Sequence, residues 1–217
     1  MNRRNVLVGT VVVALAAFAG AAAYYPSATV PTAPQEESNL VRAHSPVIGP
    51  ANAPVTIVEF LDPSCEACRA FYPIVKQIMA EFPEKTRLVI RYAPLHDGSD
   101  EAVGILEAAR VQGKFEPVLE KLLFEQPKWA VHGAPDIEAA WRIAGEAGLD
   151  VEMARGDAKA PAVVAVLNQD ITDMKAINLQ GTPTFFVNGK PLTEFGSQQL
   201  YDLVAAEVKE VEDMATQ

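Results

Sequence analysis

The sequence predicts an α/β domain in which a strand–helix–strand unit, a β-hairpin and a C-terminal helix surround an inserted helical subdomain. Two strand-like runs rich in branched apolar residues lie at 55–61 and 87–92, and between them apolar residues recur at helical spacing from Phe71 to Phe82. A strand, a helix and a second strand in this order form a parallel pair of strands. The stretch from about 100 to 175 carries only helical patterns, so we expect it to be the insertion.

Turn and cap residues support this plan. Asn188-Gly189 is typical of the two-residue turn of a β-hairpin, which would join a strand at 184–187 to a second strand at 190–192. Asp136 and Ser197 are each expected to cap the helix that follows. The acidic end of the chain after Val208 is expected to fray.

The first residues have the composition of an export segment. Arg3 and Arg4 precede an uncharged apolar run over 6–23, and prolines among Ser, Thr and Glu follow it. The run is longer than a signal core of roughly 7 to 15 residues and slightly shorter than a membrane span of about 20, so both cleavage and anchoring to the inner membrane stay open. We therefore predict export to the periplasm, with residues 1–25 as signal or membrane anchor, 26–44 as linker, 45–210 as the folded domain and 211–217 as tail.

The charge balance argues against a nucleic-acid partner. The chain has 18 Lys and Arg residues against 28 Asp and Glu residues, a formal net charge of −10. A field of this sign repels the phosphates of nucleic acids and of anionic lipids.

Cys65-Glu66-Ala67-Cys68 is the main chemical motif, and it contains the only two cysteines of the chain. It lies where the first strand ends and the helix begins, and there the free backbone N–H groups and the helix dipole stabilise a thiolate. Cys65 is therefore predicted to be the more acidic thiol and the nucleophile. The spacing brings the two sulfurs within bonding reach on one helical turn, so Cys65 can attack a substrate disulfide and Cys68 can resolve the mixed disulfide.

A C-x-x-C pair is also half of a common type of zinc site, which needs two further ligands. His44, His96 and His132 lie in different predicted segments without paired ligand spacing, so no metal site is predicted, and no role is assigned to His96. One function of another class stays open: the thiolates of Cys65 and Cys68 could hold a soft metal such as Cu(I), in a copper-binding or copper-tolerance protein.

Two segments resemble the thioredoxin superfamily. Residues 59–64 (Glu-Phe-Leu-Asp-Pro-Ser), followed by the C-x-x-C and a helix, are similar to its redox-active segment, and residues 181–186 (Gly-Thr-Pro-Thr-Phe-Phe) are similar to its cis-proline loop. The helical insertion between the second strand and that loop resembles the DsbA-like branch. The resemblance implies a thioredoxin fold over about 45–207 and the activity of a protein thiol–disulfide oxidoreductase.

The resemblance also implies roles for individual residues. Cys65 and Cys68 would form the redox-active disulfide. Pro183 would follow a cis peptide bond and, together with Thr182, would contact an extended substrate peptide. Glu59 would be a buried carboxylate beneath the active site that helps to move the proton of Cys68, and burial would raise its pKa.

The function implied is thiol–disulfide exchange with extracytoplasmic protein substrates that carry thiols or disulfides. No cofactor is expected, and a membrane redox partner would recycle the pair. Strongly oxidising relatives carry Pro-His between the cysteines, whereas this chain has Glu66-Ala67, whose negative charge disfavours a nearby thiolate. The direction of electron flow therefore stays open. Isomerase relatives usually carry an additional dimerising domain before this fold, so a monomer is expected.

Overall fold

A mixed β-sheet lies at the centre of the computed structural model, which describes residues 39–216. The predicted export segment and most of the predicted linker lie outside the described residues. Within them the sheet has five strands in the order β1-β3-β2-β4-β5. The strands are β1 (Val47–Ile48), β2 (Val55–Leu61), β3 (Thr86–Tyr92), β4 (Thr184–Val187) and β5 (Lys190–Pro191).

The central strand β2 is buried on both faces, as its continuous apolar run predicts. It runs parallel to β3 and antiparallel to β4, so Glu59 lies opposite Ile90 on one side and Phe185 on the other. Because successive side chains of a strand alternate between faces, Glu59 lies on the same face as Ile57 and Leu61. The carboxyl end of β2 then leads directly into the segment that carries Cys65.

Helices cover both faces of the sheet, and a group of them is inserted between β3 and β4. This arrangement confirms the predicted α/β architecture with a helical insertion. The helices are α1 (Glu66–Glu81), α2 (Ser99–Val111), α3 (Phe115–Phe124), α4 (Ile137–Glu146), α5 (Val151–Asp157), α6 (Pro161–Ala176) and α7 (Ser197–Ala215), with a short 3-10 helix at Gln126–Lys128.

The core has two parts, one on each face of the sheet. The larger part joins β2 and β3 to α1, α7 and the helices of the insertion, and it includes Trp129 and Trp141. The smaller part surrounds Val58, Phe60 and Met174 on the opposite face, where α6 packs. Both tryptophans therefore belong to the core.

A buried ionic network fastens α6 to the sheet. The guanidinium of Arg91 is fully buried and donates to Asp170 and Asp173, at 2.7 Å in each case. Arg42 adds a 2.7 Å contact to Asp173. Burial alone would raise the pKa of Asp173, but the hydrogen bonds from Arg42 and Arg91 outweigh it and lower the pKa to about 2.

Several helix ends differ from the predictions. Asp136 does cap α4, since its carboxylate accepts from the Ala139 N–H at 2.8 Å. Ser197 does not cap α7: it is the first helical residue, and no side chain caps this helix. The expected fraying after Val208 is also wrong, because α7 continues to Ala215. Ion pairs from Lys190 and Lys209 neutralise several of its carboxylates.

Short or weakly patterned elements were not predicted at all. Strand β1 has only two residues, and helix α5 has only seven. Neither is long enough to show a hydrophobic period in the sequence, because a helical period needs a window of about 11 residues. Tertiary packing stabilises both elements.

Candidate active site

The two cysteines lie where β2 delivers the chain to the start of α1. Cys65 is the residue before the helix, with extended backbone angles (φ −79°, ψ 123°), and Cys68 lies in the first helical turn. Both are free thiols. Cys65 keeps 6% of its residue surface exposed, whereas Cys68 is fully buried. An outside partner can therefore reach Cys65 first.

The surroundings push the pKa values of the two thiols in opposite directions. A hydrogen bond from Cys68 is the largest effect on Cys65, and despite the opposing effect of burial its pKa falls to about 5, with help from Thr182 and the backbone of Ala67 and Cys68. Burial is the largest effect on Cys68, whose pKa is raised far above that of an ordinary thiol. The negative charges of Cys65 and Glu59 raise it further. Cys65 is therefore the thiolate of the pair near neutral pH, and Cys68 keeps its proton.

The loop before β4 lies against Cys65. The Thr182–Pro183 peptide bond is cis, the isomer that the resemblance implies. The Cys65 thiol donates to the Thr182 carbonyl at 3.3 Å. The structure thus brings together residues separated by 117 positions in the sequence. Thr182 and Pro183 lie where they could contact a substrate, and that role stays a prediction.

Glu59 is fully buried beneath the cysteine pair. Neither of its carboxylate oxygens has a hydrogen-bond partner among residues 39–216. Burial, followed by the negative charge of Cys65, raises the pKa of Glu59 to about 8. Glu59 is therefore buried, as the resemblance implies, and is not a solvated glutamate at the sheet edge. Glu59 also affects Cys68, because its charge is one of the causes that raise the pKa of that thiol.

Asp62 holds the segment around the cysteines together, and sequence reasoning assigned it no role. Its buried carboxylate accepts from the backbone N–H groups of Ser64, Leu95 and His96, at 2.8, 2.7 and 3.1 Å. It also contacts His96 Nδ1 at 2.6 Å and accepts from the Ser99 hydroxyl. An Asp that bonds to the backbone two residues later is a common turn signal, so the local part of this network could have been predicted.

Gln126, in the 3-10 helix of the insertion, is a second residue that sequence reasoning missed. Its buried side-chain amide donates to the carbonyls of Pro63 and Cys65, at 2.9 and 3.0 Å. The helical insertion therefore fixes the backbone on which the cysteines are mounted. No sequence signal identified this residue, because its contacts lie more than 60 positions away.

The histidines are distributed differently from the prediction. His44 contacts Asp170 in the ionic network, at 2.7 Å. His96 and His132, by contrast, come together beside Glu66, with their ring centroids 5.2 Å apart. The different segments and the lack of ligand spacing in the sequence therefore do not keep these two histidines apart, because folding brings the loop after β3 and the loop before α4 together.

Comparisons with known proteins agree with this geometry. A family model described as thioredoxin matches residues 42–206. A thioredoxin-like oxidoreductase from Silicibacter pomeroyi DSS-3 is 32% identical, with a TM-score of 0.66, over 79% of this chain and 94% of that one. Wolbachia pipientis alpha-DsbA1 has a TM-score of 0.71 at 15% identity, over 82% of this chain and 99% of that one, a likeness of fold.

A curated relative with a different name also matches. The Na(+)/H(+) antiporter NhaA of Herminiimonas arsenicoxydans is 34% identical over 144 residues, which make up 66% of this chain and 22% of the antiporter. This chain thus spans about a fifth of the length of the curated relatives it matches. No helix within residues 39–216 is long and apolar enough to cross a membrane. Because the match covers only about a fifth of the antiporter, the antiporter's name assigns no activity to this chain. The match of the family model to residues 42–206 shows that the chain belongs to the thioredoxin family.

Proposed function

We propose that this protein exchanges thiols and disulfides with extracytoplasmic protein substrates through the Cys65–Cys68 pair. The observation that carries the proposal is the asymmetry of the pair. Cys65 keeps a small exposed fraction, 6%, next to the Thr182 carbonyl, whereas Cys68 is fully buried. One sulfur can thus meet a substrate while the other can reach only its neighbour.

The exchange proceeds in two displacements. The Cys65 thiolate attacks a substrate disulfide, an S–S bond forms between Cys65 and the substrate, and one substrate sulfur leaves as a thiolate. Cys68 then loses its proton and attacks the Cys65 sulfur, which releases the second substrate sulfur and leaves the Cys65–Cys68 disulfide. Two electrons have passed to the substrate. The same steps in reverse oxidise a substrate dithiol.

Glu59 is proposed to accept the proton of Cys68 in the second displacement. While Cys65 is a thiolate, its charge helps to keep both Glu59 and Cys68 protonated. Formation of the mixed disulfide removes that charge. The pKa of Glu59 and that of Cys68 then both fall, so the carboxylate is more populated and the thiol is easier to ionise at the step that needs them.

Substrate binding is assigned to the loop around Thr182 and Pro183. The thiol of Cys65 no longer donates to the Thr182 carbonyl once Cys65 is ionised or joined in a mixed disulfide, because neither form carries the S–H group. A backbone N–H of an extended substrate peptide could then replace it, as in strand addition to an open edge. The chain would act as a monomer in the periplasm, either free or anchored by residues 6–23, and a membrane redox partner would recycle it.

A trapping experiment tests the exchange directly. Cys68→Ala removes the second displacement, so a disulfide-bonded substrate peptide should accumulate as a mixed disulfide with Cys65, detectable by mass spectrometry. Cys65→Ala is the matched control and should trap nothing. Equal trapping by both variants, or by neither, would contradict the assigned order of attack.

The reduction potential of the Cys65–Cys68 pair decides whether the protein oxidises or reduces its substrates. Relatives of this type span about −270 to −120 mV, and a value above about −190 mV indicates a disulfide donor, whereas one near −270 mV indicates a reductant. The charge of Glu66 is not expected to decide this, because its side chain is 57% exposed and lies 2.9 Å from His132. Equilibration with glutathione buffers measures the potential.

Binding of Cu(I) by the same sulfurs has less support. Two-sulfur coordination requires both Cys65 and Cys68 as thiolates, and the buried position of Cys68 strongly disfavours its ionised form. A copper titration of the reduced protein against competing glutathione distinguishes the two functions. A tight stoichiometric complex would favour the metal-binding function.

A further inference from the structure

Three potential metal ligands meet beside Cys65. Glu66 is the first residue of α1, His96 follows β3, and His132 precedes α4, so they come from three separate segments. One ligand atom from each side chain, a carboxylate oxygen or an imidazole nitrogen, lies within 4.8 Å of the other two. The closest pair is His132 Nε2 and Glu66 Oε1, at 2.9 Å. His96 and His132 also line a shallow cavity of about 190 Å³ next to Ser64.

A buried carboxylate orients one of these ligands. Asp62, which is fully buried, lies 2.6 Å from His96 Nδ1 and so occupies that nitrogen. Nε2 is then the imidazole nitrogen of His96 that is left to bind a metal. Histidine ligands in metal sites characteristically have their second nitrogen held by a carboxylate or a carbonyl in this way. This contact is independent of the clustering itself, and it points to the same chemistry.

We propose that Glu66, His96 and His132 form a binding site for a divalent transition-metal ion, with Zn²⁺ as the best fit. Two imidazole nitrogens and one carboxylate oxygen are a typical set for zinc sites that keep a fourth position for water. Hard cations such as Ca²⁺ and Mg²⁺ prefer oxygen ligands, and Cu(I) prefers sulfur. The site is distinct from the cysteine pair, because neither sulfur belongs to it.

The geometry needs only small adjustments of surface side chains. Tetrahedral coordination at 2.0–2.2 Å places ligand atoms about 3.3–3.5 Å apart. The separation of His132 Nε2 and Glu66 Oε1, 2.9 Å, is somewhat shorter than that value, and all three ligand atoms lie within 4.8 Å of one another. The side chains of His132 and Glu66 are 61% and 57% exposed, so they are free to move toward the ion. His96, held by Asp62, would be the fixed ligand.

The local charge favours a cation. The N-terminus of α1 carries a partial positive charge of about half a unit, which opposes binding. Against it stand the carboxylates of Glu66 and Asp62 and the thiolate of Cys65, each with up to a full negative charge. The net field at the site is therefore attractive for a divalent ion.

The test uses a full-length variant in which both cysteines are serine, so that the sulfurs cannot bind metal. Isothermal titration with Zn²⁺ should give one saturable site, and Co²⁺ should show the visible absorption bands of tetrahedral nitrogen and oxygen coordination. His132→Gln and Glu66→Gln, made in this background, should each weaken Zn²⁺ binding by about tenfold or more. Both residues are exposed, so neither change should disturb folding.

His44→Gln is the matched control, because His44 lies outside the cluster, against Asp170. It should leave Zn²⁺ affinity unchanged. The proposal is overturned if no saturable binding occurs at submillimolar Zn²⁺, or if the His132→Gln variant binds as tightly as its parent. Either result would overturn only the metal site. The proposed redox function is tested separately, by the cysteine variants and the reduction potential.

Discussion

Replacing Glu59 by Gln should make the reduced protein more stable at neutral and alkaline pH. In the unfolded chain this carboxyl ionises near pH 4.5, whereas in the folded protein burial and the charge of Cys65 raise its pKa to about 8. Between these two values the folded state binds more protons than the unfolded state, so the free energy of unfolding falls as pH rises. The loss is about 1.4 kcal/mol per pH unit, or about 3 kcal/mol at pH 7 relative to pH 4.

Glu59→Gln keeps the shape of the side chain and removes the titration. Urea denaturation of the reduced protein from pH 4 to pH 8 should show two curves that lie close together near pH 4 and diverge above pH 5. Glu152→Gln, an exposed substitution, should follow the parent at every pH. If the Glu59→Gln and parent curves run parallel from pH 5 to pH 8, then Glu59 ionises normally in the folded state. That result would also contradict the proposed transfer of a proton from Cys68 to Glu59.

Three further substitutions test the rest of the site and the scaffold. Cys68→Ala should raise the pKa of Cys65 from about 5 toward that of an ordinary thiol, because the substitution removes the hydrogen bond that lowers this pKa most, whereas Cys68→Ser keeps a donor. The pH dependence of alkylation by iodoacetamide measures the pKa of Cys65 in both variants, and equal midpoints would contradict the assignment. Asp62→Asn should destabilise the protein by about 2–4 kcal/mol in urea, because it leaves buried donors facing an amide, while the exposed Asp97→Asn should change stability by less than about 0.5 kcal/mol. Asp170→Asn should lower the free energy of unfolding by about 3–5 kcal/mol, because it removes a charged partner of a fully buried guanidinium, and a loss below about 1 kcal/mol would mean that solvent reaches this network.

The fold could be predicted from local patterns because its central elements carry them strongly. The apolar residues of β2 and β3 follow one another almost without interruption, whereas a half-buried strand alternates apolar and polar residues. The two runs therefore predict a sheet that is covered on both faces. Asn188-Gly189 fixes the hairpin, and the residue after β4 does lie in the left-handed region, with φ of 47° at Asn188. The C-terminal end of α7 could not be predicted, because the helix continues to Ala215 although its last buried residue is Val208.

Some residues of the site could likewise be predicted from the sequence, and others could not. Cys65, Cys68 and Pro183 belong to short motifs, so a reader of the sequence can find them. Gln126 and His96 belong to no motif, because each acts through a contact with a segment 30 or more positions away. Such contacts depend on how the insertion packs against the sheet, and no period or spacing in the sequence records that packing.

These long-range contacts explain why the insertion and the cysteine pair should be considered as one unit. The amide of Gln126 donates hydrogen bonds to two carbonyls of the segment that carries Cys65. The carboxylate of Asp62 accepts hydrogen bonds from backbone N–H groups of the loop that leads into the insertion. If the insertion moved, the hydrogen bonds of Gln126 and of Asp62 would break and leave buried polar groups unpaired. Each unpaired group would lower the free energy of unfolding by about 1–3 kcal/mol. The same packing brings His96 and His132 to Glu66. The insertion therefore both holds the nucleophile in place and sets the charges and ligands around it, so changes in its loops can alter the chemistry of Cys65 without touching the C-x-x-C motif.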